Sequence, residues 1–231
     1  QGMRRVDYQY AQGPDLYIAN SSTVAKRIEH HYGKDAMVVN YPIDSTQFIF
    51  SEQKDSYSLV SSRMLSYKKI DVTIGAFNQL GWPLKIIGDG PERDRLKAIA
   101  GPTVEFLGHV SDQERGTLMA NAKYVVVSAL EDYGLVPIEA NASGTPVMSF
   151  GAGGVIDTQV PGKTGLFFET QTADSLAKAL QAAEDIDWNP SAIRDHAMSN
   201  FSQKVFFEKI DCVIDDFCRA NQLKDLNPVR S

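Results

Sequence analysis

Cysteine and histidine are scarce in this chain, with two of the former and four of the latter in 231 residues. Cys212 and Cys218 would fall on different faces of one predicted helix, so no bridge is expected between them. Reduced thiols in a cytoplasmic protein are the plain reading. His30, His31, His109 and His196 show no metal-ligand spacing, and no metal is expected. No apolar run approaches the ~20 residues that a membrane-spanning helix needs. The start is polar and charged and does not read as a leader peptide. Positive charge is in deficit, with 23 Lys and Arg against 29 Asp and Glu, a net charge of −6. That argues against a basic face for sequence-independent nucleic-acid binding, but leaves room for a local cationic pocket.

What the chain does have is alternation of short apolar runs with amphipathic helices, the pattern of a doubly wound α/β fold with a Rossmann-like parallel sheet. Gln1-Gly2 before Met3 reads as the remnant of a cleavable tag. Strands are expected at 16–19, 37–39, 57–61, 84–87, 104–107, 124–128, 147–150 and 166–168, all completing one sheet. Helices are expected over 20–32, 71–80, 91–100, 111–121, 137–143, 172–185, 191–199 and 202–221. Ser111-Asp112-Gln113-Glu114 is a capping box. Residues 45–56 are polar and read as a linker or surface excursion. In the last helix Val205, Phe206, Ile210, Val213, Ile214 and Phe217 form an apolar stripe. It would pack on the sheet's own domain or serve a partner domain.

The densest chemistry follows the run Tyr124–Ser128. Glu131-Asp132-Tyr133-Gly134-Leu135-Val136-Pro137-Ile138-Glu139 reads as a strand stopping at a carboxylate, a glycine turn, and a helix with a second carboxylate one turn in. Such a turn presents free amides and the positive end of a helix to an anion. Pro137 suits the first helical turn, where a missing N–H costs nothing. Two acids flanking an anion site suit a nucleotide sugar, with phosphate in the middle and hydroxyls at both ends. Upstream, Arg63 and Lys68 follow the 57–61 strand at the carboxyl edge of the sheet, where α/β proteins bind ligands. They are either solvated loop side chains or a guanidinium and an ammonium converging on a diphosphate.

Other turns carry weaker signals. Gly88-Asp89-Gly90-Pro91-Glu92 is either a tight turn using positive φ or part of a nucleotide pocket. Val110, Asp112 and Arg115 stand where a base could be met, although Ser111 and Asp112 also suffice as helix caps. Gly151, Gly153 and Gly154 would let the backbone approach a ligand closely. Pro161-Gly162-Lys163-Thr164-Gly165 is no P-loop, because a strand follows it, and reads as a hairpin-type turn.

In order along the chain, these segments resemble the C-terminal half of a retaining glycosyltransferase of family four, in the GT-B class. Asn20-Ser21-Ser22 and Tyr41–Phe48 are similar to that family's lead-in to its second domain. Arg63, Lys68 and Asp71 resemble its phosphate clamp. Glu131 and Glu139 match its pair of glutamates, continued by Ala140, Ala142, Gly144, Thr145, Pro146 and Val147, with Gly153-Gly154 and Gly162–Gly165 beyond. Tyr67–Asp71 and Ile87–Arg93 look closest to mannosyltransferases of bacterial polysaccharide synthesis. Asp157 and Tyr133 depart from the family's usual glutamate and phenylalanine but keep their character.

The resemblance implies roles and an organisation. Arg63 and Lys68 would hold the donor diphosphate, helped by the amides of Gly134, Leu135 and Val136. Glu139 would bond the ribose and Glu131 would face the transferred sugar. Val110, Asp112 and Arg115 would meet the base, and Gly88 would shape the pocket. Residues 3–19 would end an acceptor-side domain, 20–201 would form the nucleotide-sugar domain, and 202–231 a C-terminal helix and tail. The donor would be GDP-mannose and no cofactor or metal would be needed. The acceptor, a glycan or lipid-linked saccharide, would be held by a further N-terminal domain, so this chain would bind donor yet transfer poorly alone. The expected location is the cytoplasm, with peripheral contact at the inner membrane face. Alternatives are a GT-B sugar-nucleotide epimerase and a non-catalytic nucleotide-sugar module. A GT-B phosphorylase lacks a pyridoxal-phosphate lysine motif here, and an oxidoreductase lacks the dinucleotide fingerprint.

Overall fold

The computed structural model describes residues 2–44 and 48–221. Gln1 of the expected tag remnant, 45–47 of the expected loop and 222–231 of the expected tail lie outside the described residues. The chain opens with helix α1 (Gly2–Tyr10), strand β1 (Ile18–Ala19), helix α2 (Ser22–Tyr32) and strand β2 (Met37–Val38). Ser21 caps α2 by accepting from the Val24 N–H, and Gly33 ends it in the left-handed region, the pairing of caps that polar N-termini and glycine C-termini favour.

Then come β3 (Ser58–Ser61), α3 (Ile70–Leu80), β4 (Leu84–Ile87), α4 (Arg93–Ile99), β5 (Val104–Gly108), α5 (Asp112–Asn121) and β6 (Val125–Val127). α6 (Leu135–Ala142), β7 (Val147–Phe150), β8 (Gly165–Phe168), α7 (Ala173–Ala183), α8 (Pro190–Phe201) and α9 (Gln203–Ala220) follow. The six strands β3–β8 form one sheet in the order β5-β4-β3-β6-β7-β8, with every pairing parallel.

Side chains alternate between the two faces of this sheet, as the two-residue repeat of a strand requires. Val60, Ile86, Val126 and Met148 point to one side and pack with Ile74, Phe77, Leu176 and Leu180 of α3 and α7. Their neighbours Leu59, Ile87, Val125 and Val147 point to the other, against Met119 and Ala140 of α5 and α6. Each such apolar side chain contributes roughly 1.5–3 kcal/mol when fully buried. Helices on both faces make the sheet doubly wound. The winding reverses between β3 and β6, and ligands of open α/β sheets bind at the carboxyl ends of strands at such a reversal.

Several expectations need correction. β1 and β2 do not complete the main sheet but pair with each other in a separate two-stranded one. α1 was not expected; its sequence is polar and none of its residues is buried. α6 starts at Leu135, two residues before the expected Pro137, because proline is tolerated throughout a first turn. Residues 160–165 form a tight turn, with the Thr164 N–H donating to the Val160 carbonyl and the Gly162 N–H to that of Gly165. It leads into β8 but is not a hairpin, since all strand pairs among the described residues are parallel. The 48–56 segment has no regular structure, yet it is no loose linker: Phe48 packs against the buried cluster that includes Ile138 and Phe201, and Lys54 is anchored on three oxygens. The α9 stripe is mixed, with Val213 buried and Ile214 exposed, and α9 rests on α8.

Candidate functional site

Two loops leave the sheet at its reversal, Ser62–Lys69 after β3 and Ser128–Gly134 after β6. Between them lies a cavity of about 390 Å³ lined by Arg63, Tyr67, Lys68, Glu131, Gly134, Leu135 and Val136, among others. Six residues singled out in the sequence, in segments more than sixty residues apart, therefore share one cleft: Arg63, Lys68, Glu131, Gly134, Leu135 and Val136. Arg63 and Lys68 are not splayed away from the glycine turn.

The β3 loop owes its course to glycines. A Cβ on Gly88 would lie 2.1 Å from the Ser62 carbonyl oxygen, and one on Gly90 would lie 2.5 Å from that of Met64. The β4 turn thus lies directly against the backbone on either side of Arg63, and the Met64 N–H donates to the Asp89 carbonyl at 2.9 Å. A single turn of tighter helix over Ser66–Lys68 follows, closed by Lys69 at φ 53°. Among the described residues Lys69 alone of the non-glycine residues has positive φ, a conformation held by its surroundings.

The Lys68 ammonium donates to Glu131 Oε1 at 2.5 Å, with the two side chains only 19% and 21% exposed. Arg63 is exposed, and its guanidinium has no partner among the described residues. At the far wall Gly134 takes φ 84° and caps α6 with no side chain bonded to the helix end. The first amides of a helix have no partner within it, so those of Leu135 and Val136 are available to an anion. Beneath, Thr73 and Ser128 share a buried hydroxyl hydrogen bond of 2.7 Å, which satisfies two polar groups in the cavity lining.

Glu139, one turn into α6, does not line the cavity but accepts from Arg115 Nη1 at 2.8 Å. The two residues assigned to ribose and base are thus a single ion pair bridging α5 and α6. Val110 is half-buried against the second core, and Asp112 is exposed in the first turn of α5, which Ser111 caps through the Glu114 N–H. Gly88 meets the Ser62 carbonyl rather than the cavity. Gly153 and Gly154 permit a close approach to the backbone of Glu131–Tyr133, and not to open space.

The family model "Glycosyl transferases group 1" matches residues 44–204. The chain belongs to this family. A D-inositol 3-phosphate glycosyltransferase of Corynebacterium aurimucosum is 34% identical over 238 residues, covering 88% of this chain and 56% of the relative. A glycogen synthase of Mycobacterium tuberculosis is 27% identical over 201 residues, covering 79% and 48%. Among solved structures, Anabaena HepE in complex with UDP and glucose superposes with a TM-score of 0.79 at 21% identity, over 92% of this chain and 66% of that one. At that identity the likeness concerns the fold, which is that of GT-B glycosyltransferases. The chain spans about half to two-thirds of the length of these relatives.

Reading the sequence missed three groups of residues around the site. Ser21 and Ser22 read only as the start of a helix and as part of the resemblance, but they also bond the Asp132 carbonyl and the Asp157 carboxylate. Lys54 lay in a stretch read as a linker; it donates to the carbonyls of Ala120 and Ser143 and to Thr145 Oγ1. Burial pushes its ammonium down to about 8. Tyr67 carries no signal in the sequence beyond the resemblance, yet its exposed ring lines the cavity 5.0 Å from Lys68 Nζ.

Proposed function

We propose that this chain is the donor-binding part of a retaining glycosyltransferase that moves a hexose from a nucleoside diphosphate sugar to a glycan or lipid-linked acceptor. The observation that carries this reading is the shared cleft, with Arg63 and Lys68 on one wall and the amides of Gly134–Val136 on the other. A diphosphate between them gains a planar, bidentate guanidinium, a point-charge ammonium and a helix end. The ammonium, held on Glu131, and the helix end are fixed before the reaction, so charge growing on the departing diphosphate meets groups that need little reorganisation.

In the proposed reaction the bond from the sugar's anomeric carbon to the diphosphate oxygen breaks. The acceptor hydroxyl oxygen bonds to that carbon from the same face, and its proton passes to the departing phosphate oxygen. Glu131, beside Lys68, faces the transferred sugar. Glu139 would take the ribose hydroxyls as hydrogen-bond acceptor, with Arg115 holding its carboxylate and Val110 and Asp112 lying toward the base. No resident metal enters this scheme. GDP-mannose is the donor proposed first, on the resemblance of Tyr67–Asp71 and Ile87–Arg93 to polysaccharide mannosyltransferases. The Anabaena structure, solved with UDP and glucose, makes UDP-glucose the comparison.

Calorimetric titration of the chain with GDP-mannose, GDP, UDP-glucose and UDP tests the reading. Binding of at least one of the two nucleotides below millimolar is expected, with GDP-mannose ahead of UDP-glucose. Absence of binding by all four ends the reading, and a preference for UDP-glucose ends the mannosyl part of it.

A further inference from the structure

The turn Glu131–Gly134 carries an acid of the cleft and leads directly into the anion-binding amides of α6, yet the turn itself belongs to no helix and only touches a sheet. What fixes it lies behind it. The Glu131 carbonyl accepts from the Gly154 N–H at 2.8 Å, and the Asp132 carbonyl accepts from the buried Ser21 hydroxyl at 2.5 Å. Tyr133 is buried, and its hydroxyl donates to the Tyr41 carbonyl at 2.7 Å. Each of the three residues is thus held by a bond to 20–41 or to 153–157. Asp157 then ties these two segments together: its Oδ2 accepts from the Ser22 N–H and its Oδ1 from the Ser22 hydroxyl, both at 2.6 Å. A carboxylate accepting two bonds at the first turn of a helix is favoured by charge as well as by geometry. Asp157 is absent from the cavity lining.

We propose that Ser21 and Asp157 are positioning residues: together they latch the N-terminus of α2 to the back of the Glu131–Gly134 turn and set the distance of the α6 amides from Arg63 and Lys68. The inference rests on the donor-site reading and deepens it. α2 packs with β1 and β2 of the small sheet, so the latch is where that unit grips the cleft. Arg27 also reaches Asp132 Oδ1 at 2.6 Å, but with 48% and 56% of the side chains exposed that pair is screened by water and contributes little. Gly153 and Gly154 complete the arrangement, because a side chain at either would meet the backbone of the turn at 2.2 Å.

The test compares the unaltered chain with Asp157→Ala, Asp157→Glu and Ser21→Ala, using UDP and GDP as probes and amide hydrogen exchange as a second readout. For Asp157→Ala and Ser21→Ala, affinity for the better nucleotide should fall about tenfold, ~1.4 kcal/mol. Exchange across 131–136 should quicken while the core strand β4 keeps its protection. Asp157→Glu, which retains the carboxylate, should stay within about threefold of the unaltered chain. Ser21→Ala, lacking one oxygen, reads the same latch if Asp157→Ala does not fold. Affinity within twofold of the unaltered chain in both alanine variants overturns the proposal. So does an equal rise of exchange in β4, or a glutamate variant as weak as the alanine one. If the unaltered chain binds neither UDP nor GDP, the donor-site reading fails and the exchange pattern alone decides the latch.

Discussion

The Nζ of Lys68 and Oε1 of Glu131 stand 2.5 Å apart across the seam between β3 and β6. With both side chains mostly buried, the pair gives the cleft a neutral floor until a diphosphate draws on the ammonium. An ammonium has three donors, so Lys68 can keep Glu131 while bonding a phosphate oxygen.

Removing one partner is therefore not equivalent to removing the other. Lys68→Ala is expected to weaken UDP and GDP binding about 10–100-fold, from the loss of one charged hydrogen bond worth ~1.5–3 kcal/mol. Affinity for the matching nucleoside should change less than threefold. Glu131→Gln should leave diphosphate binding unchanged or tighter, because the ammonium is freed. Calorimetry with both ligands checks this, and equal losses for nucleoside and diphosphate would contradict the clamp.

The second ion pair makes the opposite forecast. Arg115→Ala leaves Glu139 without its guanidinium, so nucleoside affinity should drop about tenfold, a loss of ~1.4 kcal/mol. Inorganic pyrophosphate, which has no ribose or base, should bind as before. A matching loss for pyrophosphate would place Arg115 at the phosphates instead.

A methyl group on Gly154 would lie 2.2 Å from the Asp132 carbonyl oxygen and 2.5 Å from Tyr133 Cα, both backbone atoms with little freedom to yield. Gly154→Ala should lose about 1–3 kcal/mol, as overpacking does, and lower the unfolding midpoint by roughly 2–10 °C. Calorimetric melting decides it; an unchanged midpoint would mean that the turn shifts freely.

Burial lowers the Lys54 ammonium from 10.5 to about 8. Between those values the unfolded chain holds the proton and the folded chain has released it, so Lys54's contribution to stability rises with pH across that window and is level below it. Urea unfolding of the unaltered chain and of Lys54→Met, from pH 7 to 10, should show the difference between them moving in favour of lysine above pH 8. At pH 7 the methionine variant should be about 1–3 kcal/mol less stable, since the Ala120 and Ser143 carbonyls lose a donor. A pH-independent difference would refute the titration argument.

The proposed donor site uses two side-chain cations and backbone amides for its positive charge. Nucleotide affinity should therefore be unchanged, within twofold, after treatment with a chelator of divalent ions. A large loss that added magnesium restores would require a metal bridge to the phosphates.

Much of this was legible in the sequence, and the physical reason differs by level. β4 and β7 lie at the residues expected, because a buried parallel strand is a nearly unbroken apolar run between turn residues. Periodicity says nothing of partners, so β1 and β2 looked like members of the main sheet. The cleft was legible because its residues fall directly after strands, where the sheet's reversal gathers them. The latch was not, since Ser22 and Asp157 are 135 positions apart and each has a sufficient local reading of its own. Lys54 escaped for the same reason: a lysine in a polar stretch carries no sign that it will be drawn under two helix ends.

The register that sets Leu59 beside Val125 has a consequence for how the protein matures. Nothing that precedes β6 in the chain can assemble more than half a binding cleft, because one wall hangs on a strand synthesised long after the other. Docking of that late strand, a slow kind of event for parallel neighbours so distant in sequence, is the step at which the molecule first acquires a place for a ligand. A nascent chain released before Val125 would hold its cations over open water.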